Sequence, residues 1–581
     1  MSDSREPRAR LTSTRWTAGA AARVASTLLA ALTFLAALTF LAATVLPAAS
    51  AAAQGAEPCE PRADDPLGPT PWRVPFEFEV SPDPAAQQGA FYDFMWRTFI
   101  ALNWPALEVT DDTARGQPDC GRGLFDDDPR RDRVWQTFPG PLELFPPRFE
   151  RAPDGEFRPR WGRAYPTWSN LGPPPGVRRM AFQKIPRDFA VVVNQPGLPN
   201  LSLGGGDDFP TGPLVDQNRR YVRYQVGINR SYFEYLRKFE YYDRQRQIDA
   251  VEEYLRFPGS PEAFQPLPGG FEPYVQELPP YARHGMVEIK AAWRVLDGVP
   301  HKERYLQREV TVDIPGRNDG KTELMGLVAL HILRRTPQGF VASTFEQVDN
   351  VEVGHSAPKG LTPSFNTGAP PTTIQSQIGF ENRLAASGNP AEIPAQICAD
   401  RQRCGAAFNP PVENPQPVAV YRVAPIPAAV ERVNAEYQAK LYSHGSGRFS
   451  PLAFYRLIGT QNRHPGNDFA DPETNGHEGP ITGVYTNANN LINTALESYT
   501  QKNISCIYCH VGARPWGVTQ ASFGIDHFKI LSFLMRRAQP PCSLPGRSCG
   551  DGNPCCAGEC SGDGAAKVCS AVAPAKETQD G

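Results

Sequence analysis

The sequence predicts an α+β protein built on an antiparallel sheet core with packed helices. Three observations carry that expectation. Four runs between positions 284 and 346 alternate polar and apolar residues with polar turns between them, the pattern of half-buried strands. Two runs, Gln87 to Trp104 and Ala428 to Tyr442, read as helices, the first with apolar residues recurring at helical spacing. The 60 Pro and 50 Gly among 581 residues require short elements joined by many loops.

Taken in order, the chain opens with a basic stretch holding Arg5, Arg8, Arg10, Arg15 and Arg23. An uncharged run from Val24 follows and ends in small residues around Ala49-Ser50-Ala51 and Ala51-Ala52-Ala53. This is the pattern of a secretory signal peptide over 1–53 with an Ala-x-Ala cleavage site. The apolar run also has the length of an uncleaved anchor, but its small-residue end favours removal. Pro58 before Cys59 lacks the small residue that a lipoprotein site needs. No later run approaches 18 apolar residues, so no membrane span is expected after signal cleavage. The formal net charge of −3, with Lys and Arg scattered, gives no footprint for nucleic acid.

Residues 54–485 are expected to form the α+β core. After a Pro-rich lead-in, Phe91, Phe94, Met95, Thr98, Phe99 and Leu102 line one face of a helix that Pro105 stops. Such a stripe is most simply core. Cys59 and Cys120 flank it and suit a disulfide. Asp126-Asp127-Asp128 lacks the Gly-spaced acidic pattern of a calcium loop, and reads as a solvated loop. Gly204-Gly205-Gly206 lacks the Lys and Ser/Thr of a phosphate loop and reads as a turn. A strand over Tyr221 to Ile228 leads into one helix over Ser231 to Leu255, rich in Tyr, Glu and Arg at i,i+4 spacing. The four sheet strands are Met286 to Leu296, Glu309 to Ile314, Leu324 to Arg334 and Gly339 to Phe345. Within the third, His331 is read first as a satisfied core histidine, with a distal metal ligand or acid–base group as the alternative. Cys398 and Cys404 can close a short loop. Val418 to Val423 and Leu452 to Gly459 read as strands, and His444, His464 and His477 as surface residues.

The most informative stretch is Cys506-Ile507-Tyr508-Cys509-His510. Cys-x-x-Cys-His is the attachment signature of c-type haem. The two thiols bond the haem vinyl groups, and the next imidazole is placed as the proximal iron ligand. The residue counts give an expectation of about 0.004 such pentapeptides by chance. A zinc half-site would need a second Cys-x-x-Cys or a His pair, and the sequence has none in the required spacing. One haem c per chain is therefore expected on Cys506, Cys509 and His510. Haem is attached to such motifs outside the bacterial inner membrane, so the export signal and the motif both point to a periplasmic or secreted protein. The haem segment, 486–538, is expected as helix (Asn487 to Gln501), motif, loop, and helix (Asp526 to Arg537). It is too short to enclose a haem alone, so the sheet and earlier helices must cover the other face. Candidates for the sixth ligand are His331, ranked first, then Met535, with His527 reachable only if its helix turned back across the ring. An open or water-bound site is the remaining option.

Cys542, Cys549, Cys555, Cys556, Cys560 and Cys569 follow a Gln539-Pro540-Pro541 linker. Six cysteines allow 15 pairings, and a chain this short needs cross-links to hold it. Residues 542–569 are expected to be a small appended disulfide-rich module. The adjacent Cys555-Cys556 resembles the spacing of cystine-knot miniproteins, which implies first–fourth, second–fifth and third–sixth pairing. Removing the haem cysteines leaves ten, an even number suited to an oxidising compartment.

Phe99-Ile-Ala-Leu-Asn-Trp-Pro105, Leu327-Val-Ala-Leu-His331, Ser343-Thr-Phe-Glu-Gln-Val-Asp-Asn350 and the Cys506–His510 motif resemble phrases of an uncharacterised group of bacterial exported c-type cytochromes. The resemblance spans roughly 90 to 538 and implies haem c without an assigned reaction. It also implies that the position of Gln347, often His in that group, is not an essential ligand here. Two function classes follow. One is an electron carrier passing one electron to a redox partner protein. The other is a haem-dependent, peroxidase-like oxidoreductase with a labile sixth ligand, in which His331 and Glu346 would be the pocket acid–base groups. A weaker third is a binding protein with a structural haem. The chain is several times longer than a bare carrier requires, and it carries no recognisable peroxidase constellation. The primary expectation is an exported haem c protein in electron transfer.

Overall fold

The computed structural model divides the chain into two units, Met1–Ala56 and Glu57–Gly581. The structure describes residues 59–62, 65–79, 81, 83–109, 115–124, 128, 131–145, 149–151, 157–159, 165–171, 214–220, 222–256, 265, 267–311, 322–337, 339–352, 361–366, 417, 420, 422, 425–442, 449–463, 491, 493–498, 560–561 and 568–569. The first unit lies wholly outside these residues, as do the expected signal peptide, the Cys398 and Cys404 loop and the triglycine.

Helix α1, Pro84–Leu102, begins where Asp83 accepts from the Ala86 amide at 3.0 Å and Pro84 fills the first position, a pairing suited to a helix start. It ends at Asn103, whose side chain donates to Phe99 O and accepts from Trp135. The sheet follows: β1 Arg223–Ile228, β2 Met286–Val295, β3 Gln307–Thr311, β4 Thr322–Thr336, β5 Gly339–Gln347 and β6 Tyr455–Arg463. The order is β1-β2-β4-β5-β6, antiparallel throughout, and β3 pairs the start of β4 on the edge that β5 occupies further along. The four strands expected from period-two alternation are all present, and β4 runs past its expected start and end.

Period two divides the sheet residues between two faces. On one face Leu330, Ile332, Val341 and Phe345 join Trp96 and Phe99 of α1 and Val430, Tyr437 and Leu441 of α4 in the largest core cluster; α4 is Ala428–Tyr442. Phe99 stacks on Phe345 at 4.1 Å and Trp96 on Tyr437 at 5.0 Å. Buried Asn434 fixes this layer, accepting from Trp96 Nε1 and the Leu457 amide and donating to Leu457 O. The α1 aromatic stripe is thus core, as its spacing suggested. On the other face Leu333, Phe340 and Ala342 pack against Tyr232, Phe233 and Leu236.

Three details correct the expected elements. The single helix over Ser231 to Leu255 is two, α2 Arg230–Lys238 and α3 Arg244–Arg256. Glu240 takes a left-handed φ of 57°, while Tyr241 N bonds Leu236 O and Glu240 N bonds Arg237 O, a Schellman termination without glycine. Leu452 to Gly459 is a 3-10 turn over Pro451–Phe454 that runs into β6. Of the strand expected over Val418 to Val423, Val420 and Arg422 carry no regular structure, and the other four residues are outside the described residues. Tyr165, Tyr232, Tyr235 and Tyr241 pack in one cluster, which matches the packing reading of the tyrosines.

Cys59 and Cys120 form a disulfide with Cα atoms 5.4 Å apart, tying the lead-in to the loop after α1. In the tail, Cys560–Ser561 and Val568–Cys569 pair as a short antiparallel ribbon. No helix among the described residues is long and apolar enough to cross a membrane.

Candidate functional site

The chain approaching the Cys-x-x-Cys-His motif lies on the sheet face that bears His331. Leu491, Ala495 and Leu496 are buried, the latter two with Ala329 of β4. Gly459 of β6 makes room, because a Cβ there would lie 2.9 Å from Leu491 Cδ1. Asn493, fully buried, donates to Thr344 Oγ1 at 2.8 Å and Phe345 O at 2.9 Å, and accepts from the Ala495 and Leu496 amides. Thr494 N donates to the Glu346 carboxylate at 2.5 Å.

These contacts correct the helix expected over Asn487 to Gln501. Residues 493–498 form turns, closed by Glu497 N to Asn493 O at 2.7 Å. Side chains of Asn493 and Glu346 take the amides that a continuing helix would use, the competition that makes Asn and Asp favour caps and turns.

His331 lies in the middle of the sheet, in register with Lys290 of β2 and Thr344 of β5. Its Nε2 meets Glu497 Oε2 at 3.2 Å, with side chains 11% and 15% exposed. The same carboxylate oxygen accepts from Asn493 N at 3.0 Å. With Glu497 accepting, Nε2 of a neutral imidazole carries the proton and Nδ1 is the lone-pair nitrogen. Ligation of a metal through Nε2 would require His331 to leave Glu497. The pairing is that of an imidazole oriented by a carboxylate.

Glu346, fully buried, also accepts from Arg422, which reaches Glu352 as well at 3.5 Å. Arg456 is the cross-strand partner of Glu346. Burial pushes its guanidinium below the ordinary value and Arg422 adds to this, while Glu346, Glu352 and Glu431 act in the opposite direction. Arg456 Nε and Nη2 and Thr494 Oγ1 are buried without a partner among the described residues. Gln347 is committed to the backbone and side chain of Asp349 and to Arg304 O; it is a packing residue of β5.

Of the sequence candidates, the structure brings His331 and Glu346 to one face, both touched by the 493–498 turn. Cys506, Cys509, His510, His527, Met535, His444, His464 and His477 lie outside the described residues. Among the described residues, no three His, Cys, Asp or Glu form a group able to hold a metal. Asn493, Glu497, Arg422 and Arg456 were not singled out by sequence reasoning. Their one local signal is the asparagine at 493, a residue type suited to accept from the amides two and three positions on. No family model, no curated protein and no solved structure matches the chain.

Proposed function

We propose that the chain is an exported c-type haem protein of the periplasm or extracellular space that transfers single electrons to a redox partner protein. The observation that carries this reading is the Cys506–Cys509–His510 pentapeptide, a rare pattern with a specific chemistry. Two thioethers from Cys506 and Cys509 and the His510 imidazole would hold the haem, which supplies one-electron redox chemistry when bound. The resemblance to exported c-type cytochromes belongs to the same proposal, as does a cross-linked module over 542–569.

The seat described above supports the reading. Seven residues separate Ser498 from Cys506, a reach of at most about 29 Å, so the chain length permits the first thiol to reach the His331 face. Arg456 pairs with Glu352 through Nη1 at 3.8 Å, while its Nε and Nη2 and Thr494 Oγ1, without a hydrogen-bond partner among the described residues, suit an acceptor-bearing group such as a haem propionate. Glu497 orients His331, Asn493 and Glu346 hold the turn, and the sheet behind them excludes water.

The His331–Glu497 pair favours one alternative specifically, the oxidoreductase with a labile sixth ligand. A carboxylate-oriented imidazole at an open haem face is a competent proton acceptor and donor. Absorption spectra of oxidised and reduced holoprotein, with and without carbon monoxide, separate the two. A low-spin spectrum indifferent to carbon monoxide supports the carrier. A high-spin or carbon monoxide-binding spectrum moves the assignment to the enzyme. The absence of a haem spectrum after expression with a maturation system removes both.

A further inference from the structure

A second site lies away from the His331 face. Between the lead-in, the loop after α1 and the start of α2 there is a cavity of about 30 Å³. That is room on the order of two waters or one anion of three or four heavy atoms. Three guanidinium-bearing side chains line it, Arg73, Arg115 and Arg230, and no carboxylate does. Arg115 is held by Glu143 at 2.7 Å and by Leu171 O. Arg230 bonds the Tyr281 phenol, and its Nε is buried with no partner among the described residues. Arg230 is also the first residue of nine-residue α2, after the Asn229 cap, so the positive end of the helix dipole faces the same space.

His284, also in the lining, adds no charge. Its Nε2 faces the Asn229 amide at 3.2 Å, and burial with Arg334 alongside holds its value down at about 3. Trp72, Phe138 and Trp168 supply the remaining walls. Apolar walls lower the local dielectric and strengthen a charge-assisted hydrogen bond. A planar guanidinium matches a planar oxyanion, and a short carboxylate is of a size suited to the volume.

We propose that this cavity binds a small planar monoanion of the carboxylate class through Arg230, with Arg73 at its exposed rim. None of the residues that line it belongs to the 493–498 turn or to the haem segment.

The test is calorimetric titration of the full-length, haem-matured protein with formate and acetate at constant ionic strength, with acetamide as the uncharged match. One saturable site for formate or acetate and none for acetamide is expected. Arg230→Gln should weaken binding at least ten-fold and Arg73→Gln several-fold, with circular dichroism unchanged. No saturable anion binding, equal binding of acetamide, or unchanged affinity in folded Arg230→Gln overturns the proposal. If Arg230→Gln does not fold, Arg73→Gln decides, since Arg73 is exposed, and unchanged affinity there overturns it.

Discussion

Replacing Asn493 by alanine tests how the haem-proximal chain is held. The side chain makes four hydrogen bonds, two donated to β5 and two accepted from Ala495 and Leu496. If the turn stayed docked, the two amides and Phe345 O would be left buried and unmatched, each at a cost of about 1–3 kcal/mol. The total, about 3 kcal/mol or more, exceeds what a short turn resting on Leu491, Ala495 and Leu496 can absorb, so the turn should release. Native-state hydrogen exchange reads this directly. The Ala495 and Leu496 amides should exchange about 100-fold faster, while β2 and β4 amides keep their protection. Asn493→Asp retains the acceptor oxygen and loses the donors, so it should give a smaller acceleration. Exchange within three-fold of wild type in Asn493→Ala would refute the docking argument.

Other outcomes follow from the same structure. His284 is a base held at about 3, against an ordinary 6.5. The unfolded chain therefore binds the extra proton between those values, and stability present above pH 6.5 is lost as pH falls toward 3. Urea midpoints should show a loss of about 2 kcal/mol from pH 7 to pH 5, absent in His284→Asn; equal losses in both proteins would exclude His284 as the cause. Reducing the Cys59–Cys120 bond, which closes 61 residues, should cost about 4 kcal/mol on the chain-entropy estimate, read as a lower urea midpoint with reductant and no change in a double Ser variant. In the haem protein, His331→Ala should convert a low-spin to a high-spin spectrum if His331 is the sixth ligand; an unchanged spectrum, together with a shift in Met535→Ala, would reverse that ranking. Ending the chain at Pro541 should leave the core melting temperature and haem spectrum unchanged, and early melting would make the tail part of the core.

The sheet was legible because its strands repeat with period two, from Met286 to Phe345, and α1 because its apolar residues recur at helical spacing before Pro105; its start at Pro84, three residues before the expected Gln87, is set by the Asp83 cap. The break between α2 and α3 was not, because Glu240 adopts the left-handed conformation that glycine ordinarily signals. The seat was illegible for a different reason. Leu491, Ala495 and Leu496 have helical spacing, but their turn is set by partners 148 and 149 positions away, Phe345 and Thr344, and no local window contains those. His331 stood out as the lone histidine of an apolar strand, whereas Glu497, which orients it, looked like any charge in an amphipathic run. Arg422 and Arg456 are distant in sequence from the glutamate they flank, so only the fold brings them together.

A haem held by two thioethers stays on the polypeptide when the protein is denatured, so the mass of the denatured chain reports it. After expression with a c-type maturation system, the intact chain should carry the mass of one covalently bound haem, and the Cys506→Ser, Cys509→Ser double variant should carry none. A wild-type chain at its bare polypeptide mass, or an added haem mass that persists in the double variant, would rule out thioether attachment at Cys506 and Cys509.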